Sequence, residues 1–223
     1  MKTVNPSPAG PRRRILLVDD HPMMITGMTT LLNSQPDLEV CADAGDAAEA
    51  KQKLPACRCD LVVTDLTLPG TGGLELIKDI AALHPDLPVL VISMHDEMLY
   101  AERALRAGAC GYLMKEAGGE KMLEAIRHVL AGHTFVSERM SAKILNQFSG
   151  RRPHHSSSPI ESLTDREFEV FQLIGQGKST RDIAGQLHLS PKTVDVHRGH
   201  IKEKLQLKDA TALVRHAVRW VET

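Results

Sequence analysis

The stretch ILLVDD at residues 15–20 is a short apolar run that ends on two acids. It is the first of four such runs, and together they predict the fold. Three later runs also end on a polar residue: LVVTD at residues 61–65, VLVIS at residues 89–93 and GYLMK at residues 111–115. Short runs rich in Val, Ile and Leu, separated by helical patterns, are typical of buried parallel strands. Because parallel strands place their carboxyl ends on one edge of the sheet, we expect the four polar ends to meet there.

The polar residues at these strand ends are predicted to form one site. Asp19, Asp20 and Asp65 supply carboxylates, Ser93 a hydroxyl and Lys115 an ammonium group. Three carboxylates at close range repel one another unless a cation lies between them. Carboxylate oxygens suit Mg²⁺, which keeps several waters that an incoming phosphate can replace. The set therefore predicts metal-assisted phosphoryl chemistry.

Strand and helix patterns alternate five times between residues 13 and 133. Gly70, Gly73 and Gly108 fall at joins between the predicted elements, where residues that break regular structure are expected. Five consecutive βα units specify a doubly wound parallel sheet, so the predicted fold class of this half is α/β. At 223 residues, the chain is long enough for a second domain.

The end of the chain, residues 160–223, is predicted to be a small all-α domain. Capping boxes at residues 164–167 and 179–182 mark two helix starts. Ser190 followed by Pro191 marks a third, because proline is favoured at the first helical position. A fourth helix is predicted from about residue 209 to residue 221 by its apolar periodicity.

Two segments are predicted to lie outside the two folded domains. Residues 1–12, which contain three prolines, are predicted to be a disordered arm. Residues 134–159 are predicted to hold a short connecting helix and then a flexible linker around the sequence GRRPHHSSSP. The adjacent His154 and His155 are interpreted as solvated linker residues rather than metal ligands.

The formal net charge of −1 conceals a difference between the two halves. Residues 1–150 carry 15 basic and 19 acidic residues, whereas residues 151–223 carry 12 basic and 9 acidic residues. An acidic first half is compatible with metal binding, and a basic second half tolerates a polyanion such as DNA.

The four cysteines favour a reduced, cytoplasmic protein. Cys57 and Cys59 are close in sequence, but no second pair completes a zinc site. Cys41 and Cys110 lie in or beside apolar runs and are interpreted as small buried residues. No signal-peptide pattern and no run of roughly 20 apolar residues occurs, so no membrane association is expected.

The polar strand ends resemble the receiver domain of bacterial two-component response regulators. The resemblance covers about residues 13–133 and rests on the acids at 19–20, the D-x-x-x-P sequence at 65–69, Ser93 and the lysine that ends GYLMK. It implies a flavodoxin-like fold and a sensor histidine kinase as the phosphodonor. It also implies a signalling protein rather than an enzyme, because a receiver catalyses only its own phosphorylation and dephosphorylation.

The resemblance assigns the acids to phosphoryl transfer. Asp65 is expected to be the nucleophile that becomes an acyl phosphate. A Mg²⁺ cofactor would neutralise charge on the transferring group. The expected ligands of Mg²⁺ are Asp19, Asp20, Asp65 and the backbone carbonyl of Thr67.

The resemblance also assigns a conformational switch. Lys115 and Ser93 are expected to contact phosphoryl oxygens. Ser93 would move toward the phosphoryl group while Tyr112 turns inward behind it. Thr67 and His95 border the phosphoryl position, and we hypothesise that their side chains set the lifetime of the phosphorylated state.

Residues 163–205 resemble the LuxR-type helix-turn-helix of NarL/FixJ response regulators, with the turn at residues 188–190. At about 100° per residue, Val194, His197 and Ile201 share one face of the second helix. The opposite face is small and polar, as suits a helix that lies in a major groove of DNA.

The DNA contacts are predicted on this outer face. Asp195 and Val196 are candidates for base contacts, since a carboxylate can accept from cytosine and an apolar group can meet a thymine methyl. Gly199 permits close approach. The candidates for phosphate contacts, which position the module without specifying sequence, are Lys178, Lys192, Thr193, Arg198, His200, Lys202 and Lys204.

The combined prediction is a phosphorylation-dependent transcription regulator that binds promoter DNA. The apolar stripe of the last helix favours a homodimer, especially after phosphorylation, and RNA polymerase is a further candidate partner. Two alternatives stay open. A haloacid-dehalogenase-like phosphatase also uses a strand-end Asp, but it would have a second Asp where Thr67 stands. A phosphate sink or docking adaptor would keep the first half and lack DNA binding.

Overall fold

The computed structural model describes residues 11–148 and 159–221. The chain forms two compact units, Met1–Lys143 and Ile144–Thr223. Most of the predicted arm and the centre of the predicted linker lie outside the described residues. No described helix is both long enough and apolar enough to cross a membrane.

The first unit is built on a five-stranded parallel sheet in the order β2-β1-β3-β4-β5, which confirms the predicted doubly wound topology. The strands are β1 (Arg13–Val18), β2 (Leu38–Ala44), β3 (Leu61–Thr64), β4 (Val89–Ser93) and β5 (Gly111–Met114). The helices are α1 (Pro22–Asn33), α2 (Ala47–Cys57), α3 (Gly73–Leu83), α4 (Glu97–Ala107), α5 (Gly119–Leu130) and the first part of α6 (Glu138–Phe148).

The sheet is buried on both faces, which explains why its strands are continuous apolar runs. All four residues of β3 and all five of β4 are buried. One layer of the core joins Leu17 and Val63 of the sheet to Met28 of α1 and Ile126 of α5. Helices pack over both faces, so the polar groups that function needs are left at the strand ends.

The connecting helix α6 docks on α4 within the first unit. The backbone N–H of Ser137 donates to Glu97 Oε1 at 2.7 Å, and the Glu97 carboxylate is buried. Lys143 Nζ donates to the backbone carbonyl of Met98 at 3.0 Å. Met140 is fully buried. A short helix was predicted here from its pattern, but this attachment to α4 was not.

The second unit is helical, as predicted. Its helices are α7 (Asp165–Gly175), α8 (Thr180–Gln186), α9 (Pro191–Lys204) and α10 (Ala210–Val221). Both predicted capping boxes are present, with the side chains of Thr164 and Ser179 accepting from the backbone of the third helical residue. Trp220 of α10 packs against Phe168 and Phe171 at ring-centroid distances of 5.4 and 5.7 Å.

The interpretation of Cys41 and Cys110 as small buried residues of a reduced protein is wrong. Cys41 of β2 and Cys57 at the end of α2 are joined in a disulfide, with their Cα atoms 6.0 Å apart. The two residues are brought together because α2 packs back on β2 after the βα turn. Cys59 and Cys110 are free and only half-buried.

Candidate functional site

The carboxyl edge of the sheet brings together the acids and the lysine that the strand ends predicted. Lys115 Nζ lies 2.6 Å from Asp19 Oδ2 and 2.7 Å from Asp65 Oδ2. All three side chains are almost fully buried. They come from three strands, separated by up to almost a hundred residues in sequence, and the parallel order of β1, β3 and β5 places their ends on one edge.

The lysine is held as a cation by its two partners. Burial favours the neutral amine, but hydrogen bonds to Asp19 and Asp65 outweigh it and raise the pKa of Lys115. A buried ion pair of this kind is favourable only when the geometry is good and the other polar atoms are satisfied. The arrangement therefore keeps a fixed positive charge beside the Asp65 carboxylate.

The backbone around Asp65 also faces its carboxylate. Asp65 Oδ1 accepts from the N–H of Leu66 at 2.6 Å and from the N–H of Thr67 at 3.4 Å. The start of α3 lies against this turn, since a Cβ on Gly73 would come within 2.1 Å of the Asp65 carbonyl oxygen. Only glycine permits that approach, so Gly73 maintains the shape of the acceptor loop.

A second group of side chains faces the same edge from the β1 to α1 junction. Asp19, Asp20, His21 and Asp65 each offer one ligand atom, and these atoms lie within 4.8 Å of one another. Carboxylate oxygens at such separations suit an octahedral ion such as Mg²⁺. The donor set therefore fits a divalent cation, and it includes His21, which sequence analysis did not assign. The contiguous sequence Asp-Asp-His was the available signal.

The predicted switch residues, Ser93 and Tyr112, are buried and both contact the backbone of His95. Ser93 is fully buried, and its Oγ accepts from the backbone N–H of His95 at 3.4 Å. Tyr112 already lies inward, with its hydroxyl donating to the carbonyl oxygen of His95 at 2.8 Å. Burial raises the pKa of Tyr112, so its phenol stays protonated. Asp96 caps α4, with its side chain accepting from the backbone N–H of Met98.

Thr67 and His95 are joined across the mouth of the site. Thr67 Oγ1 lies 2.8 Å from His95 Nε2, and the His95 ring packs on Tyr100 at a centroid distance of 4.5 Å. Burial lowers the pKa of His95, which favours the neutral ring. The two side chains thus form one polar group at the border of the acceptor.

The second unit presents the predicted outer face on α9. Val194 and Ile201 are buried, as the helical wheel predicted, and Leu205 is buried just beyond the helix. Asp195 is exposed, and the side chain of Val196 is 48% exposed although it is apolar. Among the other candidates for DNA contact, three are exposed: Lys178, Lys192 and His200. Four are half-buried: Thr193, Arg198, Gly199 and Lys202.

Several basic candidates make contacts inside the unit. Lys204 Nζ donates to Glu167 Oε2 at 2.6 Å, and His200 Nδ1 lies 3.6 Å from the same carboxylate. Arg198 donates to Thr180 Oγ1 at 3.1 Å. Lys204 therefore serves first to join α9 to the capping box of α7, a role that its position among the phosphate candidates did not reveal.

Two family models match the chain. The model described as the response regulator receiver domain matches residues 15–127, and the model of the luxR family of bacterial regulatory proteins matches residues 161–217. The oxygen regulatory protein NreC of Staphylococcus carnosus is 36% identical over 210 residues, which cover 92% of this chain and 97% of that protein.

Solved structures give the same result. The response regulator ChrA, described as part of a heme-sensing two-component system, is 32% identical with a TM-score of 0.50, and the match covers 95% of this chain and 98% of ChrA. RcsB of Salmonella enterica serovar Typhimurium, bound to promoter rprA with the phosphomimetic BeF₃⁻, is 22% identical with a TM-score of 0.61. That match covers 93% of this chain and 99% of RcsB, and it supports the fold alone.

Proposed function

Because the chain belongs to the response regulators that join a receiver domain to a LuxR-type regulatory domain, we propose that Asp65 accepts a phosphoryl group from a sensor histidine kinase. The phosphorylated state would then control how the second unit binds promoter DNA. The proposal implies a cytoplasmic location, because the DNA is there. RNA polymerase is a further proposed partner.

The proposed transfer is a nucleophilic displacement at phosphorus. A carboxylate oxygen of Asp65 forms the new O–P bond while the P–N bond of the kinase phosphohistidine breaks, and the kinase imidazole leaves with the electron pair. The fixed ammonium of Lys115, 2.7 Å from Asp65, can donate a hydrogen bond to a phosphoryl oxygen. Ser93 is proposed to move toward the phosphoryl group and contact another of its oxygens.

The acidic group supports a Mg²⁺ cofactor. Asp19, Asp20 and Asp65 supply the carboxylates, and the backbone carbonyl of Thr67 is the fourth proposed ligand. When bound, the ion neutralises charge on the transferring phosphoryl group. Lys115 already balances part of the charge of Asp19 and Asp65, so the receiver needs only one further divalent cation.

The conformational response is proposed to pass through His95. Its carbonyl oxygen accepts from Tyr112, its N–H donates to Ser93, and its ring contacts Thr67. Movement of Ser93 toward a phosphoryl group must therefore change contacts at His95. Phosphorylation shifts the equilibrium between two conformations. The size of the shift is limited by the difference in how strongly the phosphoryl group stabilises each conformation.

The outer face of α9 supports major-groove binding. Val196 is exposed without a partner surface in the described unit, and a Cβ on Gly199 would meet no atom within 4 Å. Protein packing therefore does not require glycine at this position, whereas close approach of DNA would. Asp195 and Val196 are the proposed base contacts. The proposed phosphate contacts are Lys178, Lys192, Thr193, Arg198, His200 and Lys202.

A homodimer is proposed through α10. Val214 and Val221 are 39% and 40% exposed on a helix whose Leu213 and Ala217 close the core. Apolar side chains left at the surface of a small unit favour a contact with a second copy. A two-fold dimer would match two half-sites on DNA.

The geometry of Lys115 between Asp19 and Asp65 is the observation that carries the proposal. The test incubates full-length protein with acetyl phosphate and Mg²⁺ and measures the gain in mass. A second measurement records the gel shift of genomic promoter fragments at two salt concentrations. We expect one phosphoryl group on wild type, none on Asp65→Asn, and tighter DNA binding with BeF₃⁻. Absence of DNA binding in both states would leave the docking-adaptor alternative.

A further inference from the structure

We propose that His21 is a ligand of the divalent cation at the carboxyl edge of the sheet, through its Nδ1 atom. The site would then have a mixed nitrogen and oxygen donor set rather than oxygen alone. The inference deepens the proposed function and rests on it, because it concerns the metal that assists phosphorylation of Asp65. A nitrogen ligand would change the metal selectivity of the site. Relative to the affinity for Mg²⁺, His21 would raise the affinity for Mn²⁺ and would raise the affinity for Co²⁺ further.

The Nδ1 atom of His21 contacts both acids at hydrogen-bond distance, so an ion that binds there would take the place of the Nδ1 proton. His21 Nδ1 lies 3.0 Å from Asp19 Oδ1 and 2.7 Å from Asp20 Oδ1. With metal–ligand bonds of about 2.1 Å, neighbouring ligand atoms of an octahedral ion are about 3 Å apart and opposite ones about 4.2 Å. The four candidate ligand atoms, Asp65 included, lie within 4.8 Å of one another. One ion can therefore be shared by the imidazole and the carboxylates with small adjustments.

The position of His21 in the fold gives an independent argument. His21 is the N-cap residue of α1, where Ser, Thr, Asp or Asn would satisfy the free backbone N–H groups. Its side chain makes no capping bond and instead faces Asp19 and Asp20. Its backbone N–H donates to Asp19 Oδ1 at 2.9 Å, which anchors the residue beside the acids. A residue poorly suited to capping is thus oriented toward the metal site.

The chemistry of imidazole determines the expected selectivity. A neutral imidazole can bind a metal through Nδ1 while its proton is on Nε2. The side chain of His21 is 65% exposed, so Nε2 can remain hydrated. Imidazole nitrogen binds later first-row ions more strongly than Mg²⁺, and affinity for such sites rises from Mn²⁺ to Co²⁺. An all-oxygen site lacks this contribution.

The test uses full-length protein loaded with Mn²⁺ and records ¹⁴N modulation by pulsed electron paramagnetic resonance. Wild type is expected to show coupling to a directly bound imidazole nitrogen. His21→Asn introduces a residue suited to the N-cap and an oxygen donor but removes the imidazole, so the coupling should disappear. His84→Asn, at the exposed end of α3, is the matched control and should leave it unchanged.

Calorimetric titration with Co²⁺ and Mg²⁺ measures selectivity in the same variants. We expect His21→Asn to weaken Co²⁺ binding by about tenfold or more, on the scale of other changes around metal sites. Mg²⁺ affinity should change less than about twofold. Bound Mn²⁺ without imidazole coupling in wild type, or equal losses for both ions, would overturn the role of His21.

A labelling control separates this inference from the proposed function. If acetyl phosphate still modifies Asp65 with Mg²⁺ while no nitrogen coupling is seen, the inference fails and the proposed function stands. If wild type binds no divalent ion at millimolar concentration and Asp65 is never labelled, the proposed function fails, and the inference fails with it.

Discussion

The two units use buried and exposed charge in opposite ways. In the first unit, Asp19, Asp65 and Lys115 are almost fully buried and contact one another at 2.6–2.7 Å. In the second unit, the predicted DNA contacts are exposed or half-buried, and all of them except Lys178 lie on α9. A charge in the first site is therefore coupled to its neighbours, whereas charges on α9 act largely one at a time in solvent.

The two regions should therefore respond differently to the loss of one charged side chain. Removing one member of a buried group leaves another charge without compensation, so the free energy of unfolding should fall by a large amount. A cation that replaces the missing charge should reduce that loss. Removing one exposed lysine weakens attraction to a polyanion by a small, salt-dependent amount. Lys204 is an intermediate case, since it lies on α9 but contacts the buried carboxylate of Glu167.

The largest expected effect comes from Lys115→Met. The substitution leaves Asp19 and Asp65 without their shared cation, and we expect the free energy of unfolding to fall by about 3 kcal/mol at neutral pH. Because Mg²⁺ supplies a replacement charge, saturating Mg²⁺ should restore part of the loss. Urea denaturation with and without Mg²⁺ measures both values.

The control for this comparison is Lys121→Met, on the exposed surface of α5. We expect its effect on the free energy of unfolding to stay within about 0.5 kcal/mol. Equal effects of the two substitutions, or no response to Mg²⁺, would show that burial does not couple the charges of the first site.

A smaller effect is expected for Lys204→Met in the second unit. Burial opposes ionisation of Glu167, but the hydrogen bonds from Lys204 and Thr164 prevail and lower its pKa below the ordinary 4.5. We expect a loss of about 1–2 kcal/mol at pH 7, since Lys204 is partly exposed. The contribution is present above pH 4.5 and disappears as pH falls through the folded pKa of Glu167.

Denaturation of Lys204→Met at pH 7 and below pH 4 measures this dependence, with exposed Lys208→Met as the matched control. The difference in free energy of unfolding between the two variants should be smaller below pH 4 than at pH 7. A difference that grows as pH falls would contradict the role assigned to the Glu167 carboxylate.

Lys192→Ala is expected to act on DNA affinity rather than on stability. Lys192 is exposed at the start of α9, so loss of one phosphate contact should reduce the slope of log K against log salt by about 1. The effect should be similar on all sequences. Val196→Ala is the comparison, because a base contact should alter sequence preference and leave the salt slope unchanged.

The smallest expected effect is at the mouth of the acceptor site. His95→Ala removes the contact with Thr67, and we expect the rate of Asp65 dephosphorylation to change by a few-fold, about 1 kcal/mol or less in activation free energy. Loss of phosphoryl label over time measures this rate. An unaltered rate would show that the Thr67 and His95 pair does not set the lifetime.

Much of the first site could be predicted because strand ends have a simple geometric consequence. Once β1, β3, β4 and β5 are recognised as parallel, their terminal polar residues must share an edge. The helix starts of the second unit were equally predictable, since capping boxes are local in sequence. Contacts that join distant helix surfaces, such as Ser137 with Glu97, have no comparable local pattern.

Apolar periodicity and strand direction are encoded locally, so they are enough to predict the doubly wound sheet, the helical second unit and the meeting of Asp19, Asp65 and Lys115 at one edge. Three contacts became known from the folded structure: His21 with the acids, Lys204 with Glu167, and Cys41 with Cys57. These contacts depend on side-chain direction and on how neighbouring elements pack. Many alternative pairings satisfy the same sequence pattern, and packing selects among them.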